Sequence, residues 1–545
     1  MNILNWAWRV IVAMIGNLGG VAMVFFWSIA GMAIGSLLGF GIFGKGEIGS
    51  LIGLIGFGLG IYFGWKREFC KVEGTHAVED VREVDARLKS YAKPFDPESY
   101  MDGGRGVFVG LNAHRQPVYL PLSTFQKNHT QFLGVSGCGK SSTIAVLLGQ
   151  INALGNAVVI FDPKNDDFMP RALNRFAEKH GRVVRLIDLQ PSAPPQINPF
   201  QNCEAHEVEE LLTAAFGLDP SGDAAVDFHR GEDADAATMA SQLYQQGAKD
   251  LPSLVLACMG NEAITSRQNF WRYLRQMSQL RPLLATEGGL DMADCIKNGE
   301  ILYVVGSTDN LRTVTAQRLV LQRILQIIRN RPRNEFKENP VTLFLDEFKY
   351  MLSNSALRAL GIVRDRGCNL ILAHQSFGDL EDCGSLSAKA VIGAVSNTAL
   401  KFVYRTEDVP TAENFAKRSG DTRVWTESAS KTTDQNGNEQ GSWKEDSRAR
   451  ISAQEIMHLP KPDAGEASVG VVFGLGPAFF ISTRYLPAGE PPLVQAAPVW
   501  RDVGGEAIGH AATQAIEVAG SAVIVGGDPF APEPAPAQAA DNIFG

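Results

Sequence analysis

One short stretch restricts the possible folds of this 545-residue chain more than any other. GVSGCGKS, at Gly134–Ser141, fits the pattern G-x-x-x-x-G-K-[ST], follows an apolar run and precedes a helical pattern over Ser141–Ala153. In such a loop, glycines let backbone N–H groups surround a phosphate, and the helix N-terminus adds a favourable field. The motif therefore predicts a nucleotide site in which Lys140 neutralises the β- and γ-phosphates and the Ser141 hydroxyl binds Mg²⁺.

Apolar runs typical of buried parallel strands recur after about residue 100, and helical patterns separate most of them. The runs are TQFLGV, NAVVIFD, RVVRLID, EILYVVG, VTLFLDE, NLILAHQ and TALKFVY. This alternation predicts an α/β fold with a doubly wound sheet. Ligands of such sheets bind outside the carboxyl ends of the strands, so we look for functional residues there.

Two adjacent carboxylates end one of these runs. In VTLFLDEF, at Val341–Phe348, apolar residues lead directly to Asp346 and Glu347. Two carboxylates that leave a buried strand are costly unless a metal or another partner uses them. The pair predicts that Asp346 holds Mg²⁺ through water and that Glu347 polarises the attacking water; the alternative is an ordinary strand end.

Two more polar residues follow strand-like runs. Gln375, in LAHQS, is placed to sense the γ-phosphate, or it is a polar strand end with local partners. Asp162, in FDPKNDD, faces the nucleotide or caps a turn, and the sequence favours neither. The candidate ligands of ATP are Gly134, Gly137, Gly139, Lys140, Ser141, Ser142 and Asp162, and those of Mg²⁺ are Ser141 and Asp346.

Two long uncharged runs lie near the N-terminus. Val10–Gly44 contains no charged residue, and a second run, Ile48–Trp65, follows KGE. Runs of about eighteen or more apolar residues predict membrane spans. We expect residues 1–68 to form a two-helix transmembrane hairpin, and basic residues beyond both outer ends predict that both termini are cytoplasmic.

Charge and cysteine content restrict the partners. The net charge is −9, yet residues 204–250 hold eleven acidic and two basic residues, and residues 486–545 hold seven acidic and one basic. The rest of the chain is therefore mildly basic, which permits a polyanionic partner. The seven cysteines are an odd number without metal-ligand spacing, which favours a reducing compartment and argues against disulfides.

Residues 203–300 interrupt the alternation with helix-like sequence. SRQNFWRYLRQMSQLR interleaves arginines with rings: Arg267, Arg272, Arg275, Arg281, Phe270, Trp271 and Tyr273. Cations neutralise phosphates and flat rings stack on bases, so this stretch suits single-stranded DNA. The alternative is an amphipathic helix with Trp271 and Leu274 in the core and solvated arginines.

The order of these features resembles the type IV coupling proteins of bacterial conjugation, the TraD/TraG/TrwB-like membrane ATPases. The resemblance covers roughly residues 1–485. It is carried by the hairpin, GVSGCGKS, FDPKNDD, INPF, the helical insertion, FLDEF, GIVRDRGCNLILAHQS and ISAQEIMHLP. It implies a RecA-like ATPase with an all-α insertion, which forms a homo-hexamer at the inner-membrane mouth of a type IV secretion channel. Such a motor moves single-stranded DNA, with its attached relaxase, into the channel.

The resemblance also implies roles for residues. It gives Lys140 and Ser141 the phosphate-loop roles, Asp346 and Glu347 the metal and water roles, and Gln375 the sensing role. Arg364, in VRDRG, matches a family arginine that reaches a neighbouring subunit's nucleotide, with Arg366 second. Two features depart from the family: the turn between the spans is short, and Asn128 and His129 stand where members can carry an upstream arginine.

The expected organisation has five segments. These are the transmembrane hairpin (1–68), the first part of the nucleotide-binding domain (69–202), the all-α insertion (203–300), the second part of that domain (301–485) and a disordered, acidic, Ala/Pro-rich tail (486–545).

The sequence also permits other functions. The same machine could deliver protein effectors instead of DNA. A nucleotide-switched receptor or scaffold would need little catalytic carboxylate, so Glu347 argues against it. An FtsK-type DNA translocase would normally have more spans and a winged-helix end, and neither is visible in the sequence.

Overall fold

The computed structural model describes residues 81–503 together with five isolated positions, Ile29, Ile55, Phe57, Leu59 and Ile61. Within 81–503 it leaves out 221–223, 333, 352, 354–356, 359–360, 382–386, 428–431, 434–438 and 441–442. The predicted hairpin, apart from those five positions, and the predicted tail beyond residue 503 lie outside the described residues. Among the described residues, no helix is both long enough and apolar enough to cross a membrane.

The strands, in chain order, are β1 (Val107–Asn112), β2 (Pro117–Leu120), β3 (Thr130–Leu133), β4 (Ala157–Asp162), β5 (Val184–Asp188), β6 (Ala285–Glu287), β7 (Ile301–Val305), β8 (Val341–Leu345), β9 (Cys368–His374), β10 (Leu400–Val403), β11 (Asp421–Glu427), β12 (Thr432–Thr433), β13 (Glu439–Gln440), β14 (Trp443–Ala449), β15 (Ser468–Phe473), β16 (Phe479–Thr483) and β17 (Val499–Trp500).

The helices of the described chain are α1 (Val81–Tyr91), α2 (Leu122–Lys127), α3 (Lys140–Ala153), α4 (Phe168–Lys179), α5 (Ala205–Phe216), α6 (Ala224–Gln245), α7 (Leu251–Met259), α8 (Glu262–Thr265), α9 (Gln268–Met277), α10 (Met292–Lys297), α11 (Leu311–Asn330), α12 (Glu335–Glu338), α13 (Ala388–Ser396), α14 (Val409–Arg418) and α15 (Ala453–Met457).

One 11-stranded sheet dominates the fold, in the order β2-β1-β16-β15-β10-β3-β9-β8-β4-β7-β5. The stretch from β10 to β5 is parallel throughout and consists of the strands predicted from the apolar runs. The prediction of an α/β sheet is therefore confirmed. The apolar runs did not predict β1, β2, β15 and β16, which pair antiparallel and extend the sheet at one side.

The sheet is buried on both faces. Alternate side chains of a strand point to opposite sides, and those of each side join an apolar cluster. In β4, Val158 and Ile160 join the cluster that contains the apolar face of α3. Val159 and Phe161 join the cluster that contains α11 and much of the insertion. The near-continuous apolar runs of the sequence reflect this two-sided burial.

The segment 203–300 is helical from α5 to α10, as predicted, with one exception. The short strand β6 lies within it and pairs antiparallel with β17. Side chains of α5, α6, α7 and α9 share one apolar cluster with the sheet. The insertion therefore has no separate core, and the all-α description is wrong at β6, where the backbone bonds to a strand far away in sequence.

The predicted tail boundary at residue 486 is wrong. Leu486 is buried, Val494 forms a parallel bridge with Leu186 on the edge strand β5, and the backbone N–H of Ala497 donates to Pro195 O over 2.7 Å. The chain is thus packed on the body as far as β17. Backbone pairing with a sheet edge holds this segment, and Ala/Pro-rich composition does not reveal such pairing.

Candidate nucleotide site

Four strands that are neighbours in the sheet deliver the candidate residues to one edge. The order β3-β9-β8-β4 is parallel, so the segments that follow these strands emerge side by side. The phosphate loop follows β3, Gln375 follows β9, Asp346 and Glu347 follow β8, and Asp162 ends β4. Residues far apart in sequence therefore surround one site at the carboxyl ends of the strands, as predicted.

The phosphate loop needs glycine at two positions for reasons of space and backbone. Gly134 has φ of 151°, and a Cβ there would lie 2.7 Å from Tyr404 Cβ. Gly139 has φ of 93°, and a Cβ there would overlap the Ser468 side chain. Gly137 also has a left-handed backbone but faces open space. The loop backbone thus packs closely against Tyr404, which follows β10, and against Ser468, which begins β15.

Lys140 begins helix α3 directly after this loop and is only 6% exposed. Its ammonium donates to the carbonyl oxygens of Gly134 and Val135, the latter over 3.1 Å. A cavity of about 440 Å³ opens beside it. Its lining includes Gly137, Gly139, Lys140, Ser141, Ser142, Asp162, Lys164, Asp166 and Asp346.

Asp346 and Glu347 are both nearly buried at the end of β8. Burial raises the pKa of Asp346 to about 6, while Lys164 lowers it and Glu347 raises it. Glu347 has φ of 41°, a left-handed backbone that a side chain rarely adopts and that tends to occur at functional sites. Its Oε1 accepts from Gln375 Nε2 over 3.0 Å. The predicted water-polarising carboxylate and the predicted sensor are therefore in direct contact.

Asp162 organises the turn after β4. Its Oδ1 accepts from the backbone N–H of Lys164 over 2.9 Å, and its Oδ2 accepts from the N–H of Asp166 and from the Tyr303 hydroxyl, each over 2.8 Å. Burial raises the pKa of the Asp162 carboxyl, and these hydrogen bonds oppose the rise. Asp162 therefore caps the turn, and it also lines the cavity, so that a contact with the nucleotide stays a prediction.

Lys164, which follows Asp162 by two residues, is a site residue that the sequence patterns did not predict. Its ammonium lies 2.7 Å from Glu347 Oε1 and 3.5 Å from Asp346 Oδ2. Burial alone would lower the pKa of Lys164, but Asp346 and Glu347 raise it overall. The signal was present in FDPKNDD, yet only the pairing of β4 with β8 brings this lysine to the carboxylates.

The structure does not bring Arg364 to this site. Arg364 lies on a 3-10 turn, Val363–Arg366, that precedes β9, and its side chain is 61% exposed. Gln375 follows the far end of β9, and a seven-residue strand spans roughly 20 Å. Arg364 instead lies beside His129, whose pKa is lowered to about 4 by burial and by the Arg364 charge. The guanidinium of Arg366, on the same turn, lies 5.7 Å from the Phe336 ring.

The aromatic and basic helix α9 has features of both predicted roles, the amphipathic core helix and the surface for single-stranded DNA. Phe270, Leu274 and Met277 are buried, whereas Arg272 and Arg275 are exposed. Trp271 is half-buried, and the Arg275 guanidinium lies 5.7 Å from its ring centroid. The helix is amphipathic, and its exposed face still offers cations beside a ring.

The residues at the cavity suit Mg²⁺, which needs few protein ligands, better than a metal ion that is held by protein side chains alone. Within the described ranges there is no group of three or more His, Cys, Asp or Glu side chains placed to hold a metal. Ser141 and Asp346 line the same cavity and present oxygen donors. Mg²⁺ is typically bound by one or two such protein ligands, with substrate phosphates and waters completing the octahedron.

Two family models and one curated relative match parts of the chain. The family described as "Helicase HerA, central domain" matches residues 107–224, and "TraM recognition site of TraD and TraG" matches residues 340–461. Mobilization protein A of Escherichia coli is 32% identical over 326 residues, which are 58% of this chain and 59% of that protein. The chain thus spans less than two thirds of the length of this relative.

Solved structures of the plasmid coupling protein TrwB are similar to this chain. The unbound form matches with a TM-score of 0.53 at 16% identity, over 74% of this chain and 95% of that one. The complex of TrwB with ADP and Mg²⁺ matches with a TM-score of 0.52 at 15% identity, over 74% and 97%. At this identity the similarity concerns the fold, and it confirms the predicted RecA-like α/β architecture.

Proposed function

The chain belongs to the type IV coupling protein family of conjugation and type IV secretion, and on that premise we propose that it is an ATP-driven DNA pump. It moves single-stranded DNA, with its bound relaxase, into a type IV secretion channel. One observation carries the proposal: the phosphate loop, Lys164 and Asp346 line a single cavity, and Lys164 contacts Glu347, which accepts a hydrogen bond from Gln375. A protein that only bound nucleotide would need no buried carboxylate beside the γ-phosphate position.

ATP and Mg²⁺ are the proposed cofactors. The N–H groups of the glycine loop and the Lys140 ammonium bind the phosphates, and Ser141 and Asp346 hold the metal. Bound Mg²⁺ neutralises charge that develops on the phosphate oxygens. Lys140 and Ser141 are next to each other at the start of α3, so one helix N-terminus fixes both contacts.

Glu347 and Gln375 form the proposed catalytic pair. Glu347 orients the attacking water and polarises it as a general base. Gln375 holds Glu347 through the 3.0 Å hydrogen bond and responds to the γ-phosphate from the adjacent strand. A base held in this way costs little reorganisation when the reaction occurs.

A ring completes the site in this proposal. Arg364 precedes the amino end of β9, whereas the phosphate loop follows the carboxyl end of the adjacent strand β3. Arg364 is therefore available to the nucleotide site of a neighbouring subunit and not to the site of its own subunit. Guanidinium groups stabilise transferring phosphates strongly. We therefore propose a homo-hexamer in which Arg364 acts in trans.

The exposed face of α9 is the proposed contact for single-stranded DNA. Arg272 and Arg275 are exposed, and Trp271 lies beside Arg275. Cations that track the backbone and rings that stack on bases are the usual means of binding single strands without sequence preference. The match of residues 340–461 to the TraM recognition site supports a relaxosome protein as a second partner.

The motor is proposed to be anchored in the bacterial inner membrane. Residues 1–68 form the two-span hairpin, with both termini in the cytoplasm, on the strength of the uncharged runs and their basic flanks. This anchor positions the ring at the mouth of the channel and raises the effective concentration of its subunits.

Crosslinking during transfer tests the proposal directly. A photoreactive residue replaces Arg272 in the full-length chain, cells carry out transfer, and the crosslinked molecule is identified. We expect single-stranded DNA to be captured, and the signal to vanish when Lys140→Ala is added. Capture of a secreted protein with no DNA would favour delivery of effectors instead.

A further inference from the structure

The turn that follows β4 places a second lysine in the nucleotide cavity. Lys164 lines the same cavity as Lys140, Ser141 and Asp346. Its backbone N–H is held by Asp162, and the next residue, Asn165, has φ of 54°. Because Asn tolerates this left-handed backbone, the turn folds tightly and directs the Lys164 side chain toward the end of β8.

The partners of Lys164 locate it relative to the substrate. Its ammonium lies 2.7 Å from Glu347 Oε1, the same oxygen that accepts from Gln375. A carboxylate that orients the attacking water must face the γ-phosphate. In the proposed site, an ammonium in contact with that carboxylate lies within reach of the γ-phosphate.

The charge of the cavity is the second reason to place Lys164 near the phosphates. The cavity is lined by Asp162, Asp166 and Asp346, and Glu347 lies next to them; Lys140 and Lys164 are the cations of this set. A triphosphate would meet strong repulsion if Lys140 alone balanced these carboxylates. Charge-assisted hydrogen bonds to phosphate are among the strongest polar contacts available to a side chain.

We propose that Lys164 contacts the γ-phosphate and thereby lets the site distinguish ATP from ADP. When the γ-phosphate is bound, it offers the ammonium a second anionic partner, and Glu347 then shares Lys164 with the substrate. This inference rests on the proposed ATPase activity and adds a specificity-determining residue to it. The alternative role for Lys164 is an ion pair that only joins the turns after β4 and β8.

Measurements of nucleotide affinity distinguish a γ-phosphate contact from an ion pair that only joins the two turns. The affinities of ADP and of a non-hydrolysable ATP analogue are measured on the full-length chain, with Mg²⁺ and with EDTA. For Lys164→Ala, we expect the analogue to lose about tenfold or more in affinity and ADP to change by less than about twofold. Lys164→Arg keeps the charge and should restore most of the preference for the analogue.

A matched control uses another lysine that pairs with a carboxylate. Lys179 lies 2.6 Å from Glu98, on α4 and outside the cavity, so Lys179→Ala should leave both affinities unchanged. If Lys164→Ala does not fold, Lys164→Gln removes the charge and gives the same comparison.

Equal losses for both ligands, or no loss for either, would overturn the inference and leave the ion-pair role. A wild-type chain that binds neither ligand would instead reject the proposed ATPase. Selective loss of the analogue, also seen in EDTA, would support the direct contact with the γ-phosphate.

Discussion

Gln375 donates a hydrogen bond of 3.0 Å to Glu347, although the two residues follow different strands and are 28 positions apart. The contact forms because β8 and β9 are adjacent and parallel, so their carboxyl ends meet at one edge of the sheet. It ties the proposed base to the proposed sensor of the γ-phosphate.

Replacement of Glu347 tests the base. Glu347→Gln keeps the shape of the side chain and its contact with Gln375, so we expect nucleotide binding to remain. Hydrolysis should fall by about 100-fold or more, which is the usual contribution of a general base. The measurement is steady-state phosphate release beside nucleotide affinity, with the exposed Glu413→Gln as control. Loss of binding together with hydrolysis would mean that Glu347 has a structural role.

Removal of one hydroxyl tests how the turn after β4 is held. Tyr303→Phe deletes the 2.8 Å hydrogen bond to buried Asp162, so we expect the free energy of unfolding to fall by about 1–2 kcal/mol. Nucleotide affinity should fall as well, because Asp162 holds the turn that lines the cavity. Tyr119→Phe removes a hydroxyl that donates to Tyr100 O over 2.7 Å outside the cavity, and it should leave the affinity unchanged. Equal affinities in both variants would contradict this role for Asp162.

His374 predicts how stability depends on pH. It is the last residue of β9 and is fully buried; its ring accepts from Gln131 on β3, and burial lowers its pKa from 6.5 to about 4. The unfolded chain therefore binds a proton that the folded chain excludes. Stability is highest above pH 6.5 and falls as the pH drops toward 4, by about 2 kcal/mol from this group between pH 7 and pH 5.

Denaturant unfolding at these two pH values checks this expectation. His374→Gln keeps one donor and one acceptor without a titrating ring, so its stability should depend less on pH than that of the wild type. The exposed His114→Gln should behave like the wild type. An unchanged pH dependence in His374→Gln would show that other groups cause it.

Mixed rings test whether Arg364 acts in trans. Arg364→Ala subunits keep an intact phosphate loop, and Lys140→Ala subunits keep an intact arginine, so some interfaces of a mixture carry both. We expect the mixture to recover part of the ATPase activity that each variant lacks alone. Lys140→Ala mixed with Asp346→Asn damages the same half of the site in every subunit and should recover nothing. Confirmed mixed rings without any recovery would exclude Arg364 as the trans-acting group.

Much of this arrangement could be predicted because local pattern and topology agree. The apolar runs identified every parallel strand of the sheet, and parallel strands bring their carboxyl ends together whatever the loop lengths are. The glycine spacing predicted the phosphate loop, and the acidic pair at the end of β8 predicted the carboxylates of the same site. These features depend on residues close together in the sequence.

The rest depends on contacts that sequence does not encode locally. Lys164 acquires its carboxylate partners only because β4 lies next to β8. The segment up to β17 packs on the body through backbone pairing with β6 and β5. Its composition does not reveal this pairing, and for that reason it predicted a tail. The antiparallel strands β15 and β16 complete the sheet beside the loop, and their role is visible only where Ser468 meets Gly139.

The most direct test of DNA pumping measures ATP hydrolysis by the full-length chain in lipid bilayers against added single-stranded DNA. We expect the wild-type rate to rise with DNA and Lys140→Ala to remain inactive at every concentration. Trp271→Ala and Arg275→Ala should need more DNA for the same rate, since a lost stacking ring costs about 1–3 kcal/mol and a lost phosphate contact lowers the salt slope by about 0.7. A wild-type rate that is indifferent to DNA but rises with a secreted protein would contradict DNA pumping.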